Sequence, residues 1–189
     1  MIDFNYQNMD AKYQLRHVDP KDWKLIVWKK AYRAYQNMRF HGALWRFWRR
    51  LNRKPFQLMD FSAVQKNCTL ESQYELGVQT IPLDQIIGSV SRVKDFDGRF
   101  CLRTEKASKE RWMRVAQMIL SCETIPAVDV IQIGNRYFVK DGHHRVSAAR
   151  ALGMKYIEAQ VCVLKVNGDL PWFTNPVKTV RHQQLAQSS

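Results

Sequence analysis

From Asp19 onward the apolar positions recur at helical spacing. At about 100° per residue, Trp23, Ile26, Val27, Ala31, Ala34, Tyr35, Met38 and Trp45 fall on one side of a helix, and Lys29, Arg33, Gln36, Arg39, Arg46 and Arg50 on the other. Asp19 is placed to cap this helix, Pro20 suits its first position, and Asp22 puts negative charge in the first turn, where the helix dipole favours it. Gly42 is expected to bend or break the helix near its middle, since glycine costs a helix interior about 1 kcal/mol relative to alanine. Residues 55–80 hold no sustained period and read as a connector of loop and short turns.

Beyond the connector the pattern becomes orderly. Ile81 to Ile87 is a short extended or partly helical lead-in that ends at Gly88. Ser108 can cap a helix with Glu110 in its first turn and Trp112, Val115, Ala116 and Ile119 on its apolar face. Ala127 to Ile133 alternates as a strand, Gly134-Asn135 offers a tight turn, and Arg136 to Lys140 returns as the second strand of a hairpin. A helix from His144 to Leu152 closes at Gly153, and Tyr156 to Val166 is a last strand. Asn167-Gly168-Asp169 turns into a tail with Pro171 and Pro176, anchored by Trp172 and Phe173.

Composition excludes several classes. With 189 residues, 46% of them hydrophobic and 25% charged, the chain buries a sizeable core and is not a disordered polymer. No stretch approaches the roughly 18 apolar residues of a membrane span. The first residues show no secretory pattern. Cys68, Cys101, Cys122 and Cys162 are scattered, which argues against a zinc ribbon, a dithiol site or a disulfide scaffold. A soluble, cytoplasmic protein with reduced thiols is expected.

Charge changes the picture most. Thirty Lys and Arg against 17 Asp and Glu give +13, and the segment from Lys21 to Lys54 holds eleven bases and one acid, or +10 of that excess. One reading packs the aromatic stripe on the following domain and leaves a solvated basic face. That packing is compatible with either of two partners. Lys29, Arg33, Arg39, Arg46, Arg49 and Arg50 could hold nucleic-acid phosphates such as those of DNA without reading sequence. Alternatively the Trp and Arg mixture of Leu44 to Leu51 suits a membrane surface, the lesser expectation.

The densest chemistry lies at Asp141-Gly142-His143-His144-Arg145, where a strand arrives and a helix starts. Free N–H groups at a helix start favour an anion, and the Arg145 fork matches a phosphate. A metal held by Asp141, His143 and His144 fits less well, because adjacent histidines diverge and no further ligand follows at suitable spacing. A histidine could serve as general acid or base near a phosphate, or both could simply cap the turn and pack on the sheet.

The order of these elements, with Tyr137 to Ala149 followed by Leu152-Gly153, resembles the ParB/sulfiredoxin superfamily in its ParB-like nuclease form, Asp-Gly-His-His-Arg branch, over about residues 78–165. Ile81 to Arg92, continuing to Asp95-Phe96-Asp97, is similar to one bacterial branch of it. In that superfamily the matching loop cradles nucleotide phosphates: CTP in ParB, ATP in sulfiredoxin, ADP in a free serine kinase. The resemblance therefore implies phosphate contacts for Gly142, His143, His144 and Arg145, and for Arg92. His143 stands where sulfiredoxins carry cysteine, so sulfinic-acid reduction is not expected. The ParB Gly-Glu-Arg-Arg loop is absent, and a helix-turn-helix does not fit after Val163. No paired-carboxylate site supports the nuclease label; Asp95 and Asp97 are the only candidates.

The expected architecture is α/β (α+β), a small mixed-sheet ParB/sulfiredoxin-like domain over 78–166. A basic amphipathic arm (1–54) and linker (55–77) precede it, and a tail (167–189) follows. The expected function is that of a nucleotide-binding protein (ATP, ADP or CTP, with or without Mg), DNA-associated or regulatory. The rival expectations are a phosphotransferase using His143 or Asp141 as base, and a non-catalytic interaction module.

Overall fold

Asp19 and Pro20 start one continuous helix, α1 (Pro20–Leu51), in the computed structural model, which describes residues 19–103, 108–168 and 170–172. The Trp23 amide donates to the Asp19 carbonyl at 2.9 Å, closing the first turn. Val27, Ala31, Tyr35 and Met38 are buried, as the apolar stripe predicts, and Tyr35 meets Trp112 edge-on at 5.4 Å. Gly42 does not break the helix. A Cβ there would lie 2.7 Å from the Cβ of Cys101, so this glycine serves close approach of helix to domain rather than a bend. Gly42→Val is accordingly expected to destabilise the protein by about 1–3 kcal/mol through overpacking, as read from urea unfolding; a change within error would mean the loop carrying Cys101 yields freely.

The expected connector is largely regular structure. Met59–Asp60 forms β1, Phe61–Asn67 forms α2, and Cys68–Pro82 forms the long strand β2. Asp60 caps α2 by accepting from the Ser62 amide at 2.9 Å. The pattern hid β2 for two reasons. It is an edge strand exposed along most of its length, and register irregularities at Leu70/Ser72 and Glu75/Gly77 interrupt its alternation.

A short 3-10 turn (Leu83–Gln85) leads to β3 (Ile86–Ser89). The remaining elements are α3 (Ser108–Leu120), β4 (Val128–Ile133), β5 (Arg136–Asp141), α4 (His143–Ala151) and β6 (Tyr156–Gly168). Ser108 is thus the first residue of α3. The six strands form one mixed sheet in the order β1-β3-β5-β4-β6-β2. β4 and β5 make the expected antiparallel hairpin, β4 runs parallel to β6, and β2 pairs antiparallel with β6. The fold class is α/β.

Strand alternation sorts the core into two layers. Val128, Val130, Val139, Ala159 and Val161 face α3, α4 and α1, with Trp112 fully buried between them and its indole N–H donating to Ser147 Oγ at 2.9 Å. Phe138, Ile133 and Leu164 face the other way, under Phe61 and Val64 of α2 and Trp172. Each large apolar side chain so enclosed contributes roughly 1.5–3 kcal/mol relative to exposure. Asp169, Phe173, Pro176 and the arm before Asp19 lie outside the described residues.

Candidate functional site

β5 delivers the chain to Gly142, which takes φ 93° as the residue before α4. A Cβ at this point would sit 2.7 Å from Val128 Cγ1, so both the backbone angle and the space require glycine. The first intrahelical bond of α4 runs from the Val146 amide to the Gly142 carbonyl at 3.1 Å. The amides of His143, His144 and Arg145 precede it and have no acceptor within the helix.

Both histidines are buried, and Phe96 lies against both rings, at 5.8 Å from His143 and 5.5 Å from His144. His143 Nε2 is 2.7 Å from Ser89 Oγ. That hydroxyl already accepts from the amides of Ser91 (3.2 Å) and Arg92 (2.9 Å), so its own hydrogen is the one left to give, and His143 Nε2 accepts it. Burial pushes His143 from 6.5 down to about 4; the Arg92 guanidinium acts in the same direction and Asp141 opposes it. His144 is also pushed down to about 4, first by burial and then by Arg111 and Arg92. Both rings are therefore neutral at neutral pH. His144 Nδ1 is buried with no hydrogen-bond partner.

A hollow of about 200 Å³ opens at this helix start, lined by Arg92, Arg111, Val115 and Asp141 to Arg145. Arg145 does not present its fork to that space. Nη1 donates to the carbonyls of Pro126, at 2.8 Å, and Ala127, while Nη2 donates to the Asp141 carboxylate at 2.6 Å. Arg145 thus braces the loop, and Asp141, 71% exposed, is its partner. Arg92 is half-exposed and lies 3.4 Å from Asp95. Sequence reasoning missed Arg111, which α3 carries to the hollow, and Ser89, which fixes the His143 ring. Ser89 lay within the Ile81–Arg92 stretch already singled out, while Arg111, in the first turn of α3, had no local signal.

Asp95 and Asp97 do not form a metal pair. Asp97 is fully buried and saturated: Oδ2 takes Arg46 Nη1 at 2.7 Å, and Oδ1 takes the amides of Arg99 and Cys101, each at 3.0 Å. Among the described residues no group of three or more His, Cys, Asp or Glu is placed to hold a metal. A larger, open groove of about 1290 Å³ lies elsewhere, between Trp45 and Arg49 on one side and Leu83, Arg150 and Tyr156 on the other. Two of the four basic residues that line it are committed, Arg150 donating to the carbonyls of Leu83 and Ile86 and Arg49 to that of Pro55; Lys94 and Lys155 are the other two.

The six basic residues proposed for nucleic acid divide evenly. Lys29, Arg33 and Arg50 are exposed. Arg39 donates to the Leu102 carbonyl at 3.0 Å, Arg46 is held by Asp97, and Arg49 lies over Trp45 as well as bonding Pro55.

No family model matches the chain, and no curated protein matches it. Among solved structures, a sulfiredoxin from Arabidopsis thaliana is similar over 44% of this chain and 82% of its own, at 20% identity and a TM-score of 0.34.

Proposed function

We propose that this chain is a nucleotide-binding module of the ParB/sulfiredoxin type, which takes a phosphate of ATP, ADP or CTP at the start of α4. One observation carries the reading: the buried Nδ1 of His144 has no partner in the protein, and His144 is among the residues that line a hollow flanked by Arg92 and Arg111. A buried polar atom left unpaired costs roughly 1–3 kcal/mol, and a phosphate oxygen would satisfy it as the ring adopts its Nδ1–H tautomer. The three free amides and two guanidinium groups supply the remaining donors. Binding is favoured over phosphotransfer, because His143 Nε2 accepts the Ser89 hydroxyl and the ring is held far below the range of a general base at neutral pH.

Thermal shift with ATP, ADP, CTP and GTP, with and without magnesium, tests the reading. A ligand present at about 100 times its Kd adds about 2.7 kcal/mol, which raises the melting temperature by several degrees. The Arg92→Ala/Arg111→Ala double variant is expected to lose the shift while melting near the parent temperature, since both side chains are at the surface of the hollow. No shift with any nucleotide, or a shift that survives in the double variant, overturns the proposal. DNA association through α1 would rest on Lys29, Arg33 and Arg50, the three of the six that remain exposed.

A further inference from the structure

The outward side of α1 is not uniformly basic. Phe40, Leu44, Phe47 and Leu51 stand 67%, 45%, 63% and 65% exposed, with Trp48 beside them at 57%. Their spacing of 4, 3 and 4 places the first four within a sector of about 60°, and that sector lies roughly opposite the buried Val27, Ala31, Tyr35 and Met38. The ridge is about 16 Å long. Lys29 and Arg33 occupy the same sector in the preceding turns, Arg50 flanks it, and Arg53 and Lys54 follow its end, all exposed. From Trp23 to Met59 the sequence contains no acid.

We infer that this face docks on an anionic lipid bilayer, with the helix lying in the plane of the surface, its Phe, Leu and Trp side chains among the acyl chains and its cations on the headgroups. Three features favour that occupant over others. Nucleic acid would place phosphates against Phe40, Leu44, Phe47 and Leu51, which offer them nothing. A second copy would bring two acid-free, basic faces together. A protein groove would have to pair an apolar floor with acidic walls for Lys29, Arg33, Arg50, Arg53 and Lys54, whereas an anionic bilayer supplies both along the whole ridge, and α1, docked on its inner side through Tyr35, Gly42 and Arg46, offers only its outer sector. A plane touches only the outer sector. No helix among the described residues is long and apolar enough to cross a membrane, in keeping with a helix that lies on one.

The test is co-sedimentation of the full chain with vesicles of phosphatidylcholine alone or mixed with phosphatidylglycerol. Retention is expected on the mixed vesicles at low salt, and it should weaken several-fold at high salt. The Phe47→Ser/Leu51→Ser variant is expected to lose at least about tenfold in vesicle affinity with its melting temperature unchanged, because both side chains lie outside the core. The inference is overturned by absence of retention on the mixed vesicles, or by equal retention of the variant, which would leave charge alone at work. It is equally overturned if the variant melts lower in free solution without a change in retention, which would mean the ridge packs within the chain. Capture of duplex DNA by parent and variant alike, without lipid retention, would instead return α1 to the nucleic-acid reading. None of these outcomes depends on whether a nucleotide binds at α4.

Discussion

Asp97→Ala is expected to destabilise the protein by about 3–5 kcal/mol, the range for removing one partner of a buried ion pair. The carboxylate is fully buried, and three donors converge on it from two parts of the chain: Arg46 of α1 at 2.7 Å and the amides of Arg99 and Cys101 at 3.0 Å. Its removal leaves the Arg46 guanidinium, on a side chain only 20% exposed, and two amides without their acceptor. Asp97→Asn should fall between the parent and alanine, since the amide oxygen can still take the two N–H groups but carries no charge for Arg46. Equilibrium urea unfolding provides the measurement; a loss below about 1 kcal/mol, the level of an exposed pair, would show that α1 docks without this tie.

The second large effect is a loss of stability in mild acid. Above about pH 6.5 the rings of His143 and His144 are neutral whether the chain is folded or not. Between 6.5 and about 4 the unfolded rings take up protons and the folded ones do not, so unfolding gains protons and stability falls as pH falls. Below about 4 the loss is complete. At about 1.4 kcal/mol per pKa unit, the two histidines together account for roughly 4 kcal/mol once solvent screening is allowed for. Urea midpoints across this range should drop steadily on acidification, and the slope should be about halved in His144→Gln. A flat profile from neutrality down to about pH 5 would mean that water reaches the rings. A bound phosphate acts in the opposite direction, because its charge favours the protonated ring, so anion affinity should rise over the same interval.

Much of the central architecture was legible because local and global signals agree. The cap at Asp19 and the stripe through Tyr35 and Met38 marked α1. The alternation of Val128 to Ile133, the Gly134-Asn135 turn and Gly142 before His143 marked the hairpin and the start of α4. Where reading failed, one residue type serves two purposes. Gly42 can end a helix or let another element approach it, and only Cys101, distant in sequence, decides between them. Arg145 at a helix start matches a phosphate, yet Asp141 and the Pro126 carbonyl are within its reach first. A helical wheel put Arg46 in solvent, but a long side chain at the boundary of the buried face can turn back, and here it finds Asp97. The same wheel followed the inner stripe and left out Phe40, Leu44, Phe47 and Leu51; only the Trp and Arg mixture of Leu44 to Leu51 marked that stretch, as the lesser expectation, and it did not show that these side chains form an outward row. β2 was opaque for a different reason: an exposed edge with two irregularities carries no period to read.

Phe96 and Asp97 are consecutive, and they serve opposite neighbours. Phe96 seats the two imidazoles, and Asp97 holds the guanidinium of α1. A single peptide link therefore joins the outer helix to the hollow at the start of α4, with no flexible span between them to absorb a displacement. By thermodynamic reciprocity, whatever free energy a ligand at the histidines transmits through this link to the seating of α1, an occupant of α1 returns to the ligand in equal measure.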